Sequence, residues 1–136
     1  MIEGDILTRA NELAWVDIAD GIRFRLLRTS AETGTWTVIF QCDEGSAFAR
    51  HRHYGAGEYY VISGKMQYRA GTAVTGDWGY EPLGAVHDHT VFLEPTELLF
   101  TNHGPVAYID DDDNVTAILD YALLEQLVSE HAGQNG

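Results

Sequence analysis

His51-Arg52-His53-Tyr54-Gly55-Ala56-Gly57-Glu58-Tyr59-Tyr60-Val61-Ile62 is the stretch on which the fold of this 136-residue chain turns. Successive side chains of a strand point to opposite faces. In Ala49-Arg50-His51-Arg52-His53 both histidines therefore project to one side and both arginines to the other. Gly55 and Gly57 let the chain fold back antiparallel, and the aromatic and β-branched run from Glu58 to Ile62 suits a returning strand. Glu58 is thereby expected beside the two imidazoles.

A second punctuated segment, Gly76-Asp77-Trp78-Gly79-Tyr80-Glu81-Pro82-Leu83-Gly84-Ala85-Val86-His87, reads as strand, Pro-x-Gly turn, strand. His87 enters the last strand, and His89 is expected to follow on the same face. His51, His53, Glu58 and His87 are the expected ligands of one divalent metal. Imidazole with carboxylate suits iron, manganese, zinc, nickel or copper.

Gly45-x5-His51-x-His53-x4-Glu58-x5-Gly64 resembles the first cupin motif, and Gly76-x5-Pro82-x-Gly84-x2-His87 resembles the second. Two departures are visible: the glutamate-to-glycine spacing is one residue short, and Val91 stands where the second motif usually ends in asparagine. With the flanking runs Gly21 to Leu27 and Ala107 to Asp110, the chain is similar to the small cupins grouped with 2,4'-dihydroxyacetophenone dioxygenase. That group resembles acetylacetone dioxygenase and the cupin domain of the ChrR anti-sigma factors. The resemblance implies an all-β, single-domain cupin over 1–136, a double-stranded β-helix or jelly-roll barrel at about 15–119, and a short C-terminal helix at about 120–132. It also implies Fe(II) held by His51, His53 and His87, with a small-molecule substrate and O2 as partners. Carbon–carbon cleavage of a small diketone or hydroxyketone is the expected reaction. A metal-binding sensor of the ChrR type, or a metal-dependent isomerase or lyase, is the alternative that the same ligands would serve.

Strand parity sends Tyr60 and Ile62 the way of Glu58, toward the expected cavity, and Tyr59 and Val61 away from it. Tyr60 and His89 are accordingly the expected proton carriers beside the metal. Trp78 and Tyr80 share a face, and a cavity rich in rings suits a ketone or aromatic substrate better than a phosphorylated sugar.

Further strands are expected over Ile22–Arg28, Thr35–Cys42, Ala47–His53, Lys65–Ala70, Trp78–Glu81, His87–Phe92, Glu97–Thr101, Val106–Ile109 and Val115–Leu119, the rhythm of an antiparallel sandwich or barrel. Asp110 to Asn114 reads as a hairpin turn. From Asp120, a plausible N-cap, leucines recur at helical spacing up to Gly133. The formal charge of −13, from 21 acidic and 8 basic residues, repels phosphate backbones and anionic lipids, so no nucleic-acid or membrane partner is expected. The lone Cys42, and an N-terminus Met1-Ile2-Glu3-Gly4-Asp5 without a leader pattern, favour a reducing cytoplasm. Exposed sheet edges and the apolar helix favour a homodimer.

Overall fold

The computed structural model describes residues 4–135, so the reading of Met1-Ile2-Glu3 falls outside the described residues. Its strands, in chain order, are β1 (Val16–Ala19), β2 (Ile22–Thr29), β3 (Trp36–Cys42), β4 (Ala47–Phe48), β5 (His51–His53), β6 (Gly57–Ser63), β7 (Lys65–Tyr68), β8 (Gly71–Val74), β9 (Trp78–Glu81), β10 (Val86–His87), β11 (Thr90–Phe92), β12 (Thr96–Asn102), β13 (Val106–Ile109) and β14 (Val115–Leu119). Among the described residues a single 3-10 turn spans Ala10–Glu12 and one α-helix, α1 (Tyr121–Asn135), follows the strands.

Residues alternate between apolar and polar or partly exposed along these strands, and that alternation sets the layers. In β3 the residues Trp36, Val38, Phe40 and Cys42 are buried, and their neighbours are half-buried. Six strands pair in the order β1-β2-β3-β12-β6-β9. Two four-stranded sheets, β10-β5-β13-β14 and β4-β11-β7-β8, complete the architecture. Their inner faces meet in one apolar cluster that includes Phe24, Trp36, Val61, Met66, Phe92, Leu98 and Leu119, with Leu124 of α1 fully buried against it. Asp120 caps the helix, its Oδ1 accepting the Leu123 amide at 2.9 Å.

Two expected strands are each broken in two, and the break decides where side chains point. The sequence pattern predicts one run over Ala47–His53, yet β4 pairs with β11 while β5 pairs with β10 and β13. Likewise β10 and β11 replace the single run His87–Phe92. Both segments therefore pass from one four-stranded sheet to the other at the same corner, Ala49–Arg50 on one chain segment and Asp88–His89 on the other. Arg50 ties the corner, donating from Nε to Asp88 Oδ1 at 3.0 Å and from Nη1 to Asp113 Oδ1 at 2.7 Å and to the Asp110 carbonyl at 2.6 Å.

Strands β1 and β8 are additional to those the sequence pattern predicts. The expected run Lys65–Ala70 stops at Tyr68 and Gly71 opens β8, because the β7–β8 hairpin reverses at Arg69-Ala70, where Tyr68 pairs with Gly71. The helix runs on through Gly133 to Asn135. Asp110 to Asn114 does form the β13–β14 turn, with Asp110 Oδ1 accepting from the Asp112 and Asn114 amides at 2.9 Å each.

Candidate metal centre

A row of inward-facing residues crosses the six-stranded sheet at one end. Asn102 of β12 pairs with Trp36 of β3 on one side and with Gly57 of β6 on the other, and Gly57 pairs with Glu81 of β9. Trp36, Asn102 and Glu81 are all at most 5% exposed. Gly57 lies between Asn102 and Glu81 and carries no side chain, so a notch opens between an amide and a carboxylate. A Cβ at Gly57 would meet Asn102 Oδ1 at 2.8 Å and Phe100 Cε1 at 2.9 Å.

The imidazoles of the facing sheet project into that notch. His51 and His53 alternate with Arg52 on β5, and His87 pairs with His51 from β10. The three rings stand almost equidistant, with centroids 5.1 Å apart for His51–His53, 5.2 Å for His51–His87 and 5.3 Å for His53–His87. Together with Glu81 they offer one ligand atom each, all within 4.8 Å of one another, and all four residues are buried.

The hydrogen bonds around the group set which nitrogens face inward. His51 Nδ1 lies 2.8 Å from the Ala49 carbonyl, and His53 Nδ1 lies 3.2 Å from Asn102 Oδ1. An imidazole that donates from Nδ1 presents the Nε2 lone pair on its opposite edge. The Nε2 of His53 stands 2.5 Å from Glu81 Oε2, so two acceptors face each other at contact distance. Such an arrangement needs a proton or a cation between the pair. His53 Nε2, Glu81 Oε2 and both nitrogens of His87 are buried without a hydrogen-bond partner, which favours a cation shared by the whole group.

The electrostatics suit a cation as well. Burial lowers the His51 pKa to about 4, against the help of the Ala49 carbonyl, and His53 and His87 add to the lowering. Burial also lowers His87, partly opposed by Glu81. Burial pushes Glu81 up, yet its contact with His53 and the neighbouring His87 and His51 outweigh this and hold it below its ordinary value. Neutral imidazoles and an ionised carboxylate are the states that bind metal.

Two sequence expectations about this site are corrected. Glu58 does not join the histidines: its neighbours Gly57 and Tyr59 are the inward residues of β6, and its carboxylate lies on the outer face, 3.9 Å from His103 Nε2. Glu58, Tyr60 and Ile62 do share a side, as parity requires, but it is the outer one. Tyr60 is 45% exposed, whereas Tyr59 is buried, its hydroxyl 2.6 Å from that of Tyr68. Nor does His89 share the face of His87; it is exposed, because the sheet-crossing at Asp88–His89 interrupts the strand. Glu81 is the candidate ligand that sequence reasoning misses, although it lies within the second motif, six residues before His87. The alternation that puts Trp78 and Tyr80 on one face of β9 already puts Glu81 on the other.

The chain matches the ChrR cupin-like domain family over residues 3–107. It is 42% identical over 108 residues to an acetylacetone-cleaving enzyme of Acinetobacter johnsonii, an alignment covering 75% of this chain and 71% of that protein. The fold superposes on the crystal structure of an acetylacetone dioxygenase from the same organism with a TM-score of 0.84 and 34% identity, covering 96% of this chain and 93% of that one. The anti-sigma factor ChrR of Rhodobacter sphaeroides, solved with SigE, shares the fold at a TM-score of 0.60 and 19% identity, over 70% of this chain and 51% of that one.

Proposed function

Because the chain belongs to the ChrR cupin-like family, we propose that it is a metal-dependent dioxygenase that cleaves a carbon–carbon bond of a small 1,3-diketone or hydroxyketone. The observation that carries this reading is the buried convergence of His51, His53, His87 and Glu81 in a chain 42% identical to an acetylacetone-cleaving enzyme. Diketone and O2 would give two carbonyl products that together hold all four oxygen atoms.

The metal assigned to the site is Fe(II). Of the cations this donor set accepts, zinc has no redox chemistry with which to meet dioxygen. A divalent metal held by the three imidazoles and Glu81 would supply Lewis acidity for an enolate and a template that brings it to dioxygen. The chain's own residues do the rest. Ionised Glu81 offsets the charge of the cation. Ala49 and Asn102 orient the rings of His51 and His53. Phe40, Phe48, Phe100, Val106 and Leu119 wall the chamber and exclude water from it. Tyr108 lines the same chamber, and burial pushes its pKa up to about 12, so it stays neutral beside His51.

Within the same reading the protein works in a reducing cytoplasm as a homodimer. The outer-face residues Tyr60, Trp78 and Tyr80, each 45% exposed or more, supply an apolar surface for that contact. The test of the activity is anaerobic loading with Fe(II), followed by oxygen uptake in the presence of acetylacetone or a hydroxyacetophenone. Uptake matched to loss of the ketone is the expected result, and an iron-loaded protein that consumes no oxygen with any of them overturns the proposal.

A further inference from the structure

The chamber lined by His51, His53 and Glu81 has a free volume of about 30 Å³. That is room for about two waters. A space of that size has no room for a longer substituent on the diketone.

A second, partly open cavity of about 350 Å³ adjoins it, with Ala19, Ala49, Ala117 and Ile118 of its walls exposed. Phe40, Phe48, Tyr108 and Leu119 belong to the walls of both, so these four side chains form a common boundary between the two spaces. The volume falls in the ordinary range of small-molecule sites, roughly 300–1,000 Å³. Its remaining walls come from Ile18, Ala19 and Ile22 around the β1–β2 turn, from β4 and Ala49, from the outer end of β14 and from Leu123 of α1. None of the lining residues is charged, and Tyr108 supplies the single polar side chain. Ala47, Ala49 and Ala117 leave the room that larger residues would fill.

We propose that this second cavity receives the hydrocarbon arm of the substrate, and that the protein prefers ketones carrying an alkyl chain or an aryl ring over acetylacetone itself. The inference rests on the proposed reaction for the position of the carbonyl groups, and on the shared wall for the direction of the arm. An uncharged lining discriminates against carboxylates and phosphates by leaving their charge unpaired, and rewards each buried methylene with roughly a fourfold gain in affinity.

The experiment compares acetylacetone with nonane-2,4-dione, which replaces one methyl by a pentyl chain, on the iron-loaded protein and on its Ala117→Trp and Ala47→Leu variants. The metal-free proteins are titrated in parallel with nonan-2-one, a monoketone, by calorimetry. The expected result is a KM at least tenfold lower for the pentyl diketone. Either substitution should remove that advantage and weaken nonan-2-one binding at least tenfold. Equal KM values for both diketones, with nonan-2-one binding absent or insensitive to both substitutions, would overturn the subsite while leaving the reaction standing. Nonan-2-one binding that the substitutions abolish, in a protein that turns over no diketone, would support the cavity and sink the reaction.

Discussion

Asn102 Oδ1 lies 3.2 Å from Nδ1 of His53, with both residues 1% exposed, so an amide on one sheet sets the ring of a candidate ligand on the other. Replacing it by leucine keeps the branched shape and removes the acceptor. Partners of this kind are worth about 10–100-fold in metal affinity. Asn102→Leu should weaken metal binding by that factor in a chelator competition, with the circular dichroism of the fold preserved.

Gly57 makes room for that amide. In Gly57→Ala the new Cβ presses on Asn102 Oδ1 at 2.8 Å and on the Phe100 ring at 2.9 Å. Overpacking of this kind costs about 1–3 kcal/mol. The expected outcome is a lower urea midpoint together with weaker metal binding. By contrast Gly133, which lies in α1 with nothing within 4 Å of an added Cβ, should gain about 0.5–1 kcal/mol on Gly133→Ala.

Stability of the metal-free protein should fall as the solution is acidified. The folded pKa of His51 is about 4, against 6.5 for the free side chain. Between those values the unfolded chain binds a proton that the folded one does not, so this ring costs no stability above about pH 6.5 and the loss grows progressively down to about pH 4. The shift corresponds to about 3 kcal/mol at most. His87, lowered in the same direction, adds to the loss. Urea unfolding at pH 7 and pH 5 measures the slope, and equal midpoints at both would contradict the burial of these rings.

Glu81 and Glu58 separate cleanly by substitution. Glu81→Gln removes the charge that faces three imidazoles and should reduce metal affinity at least about tenfold. Glu58→Gln, on the outer face beside His103, should leave affinity unchanged within about twofold. Isothermal titration of both variants with the same metal decides between them, and the reverse result would restore Glu58 as a ligand.

Much of the molecule is legible in its residue order alone. His51 and His53 at i and i+2, the two glycine-punctuated segments and the strand rhythm from Ile22 to Leu119 come from local alternation, which a residue's neighbours alone determine. The grouping of three imidazoles as candidate ligands and the all-β architecture follow from it.

What only the tertiary structure decided is which face of each strand looks inward and where a strand changes sheets. Alternation states that Glu58 and Tyr60 share a side and that Trp78 and Tyr80 do; it is blind to which side meets the core. The inward choice falls to Gly57, Tyr59 and Val61 because β6 lies between β12 and β9, whose inner positions are Asn102 and Glu81. The crossing at Asp88–His89 resets the alternation after His87, because hydrogen bonds to different sheets claim the two halves of the run. Long-range pairing fixes both outcomes, and no window of adjacent residues contains it.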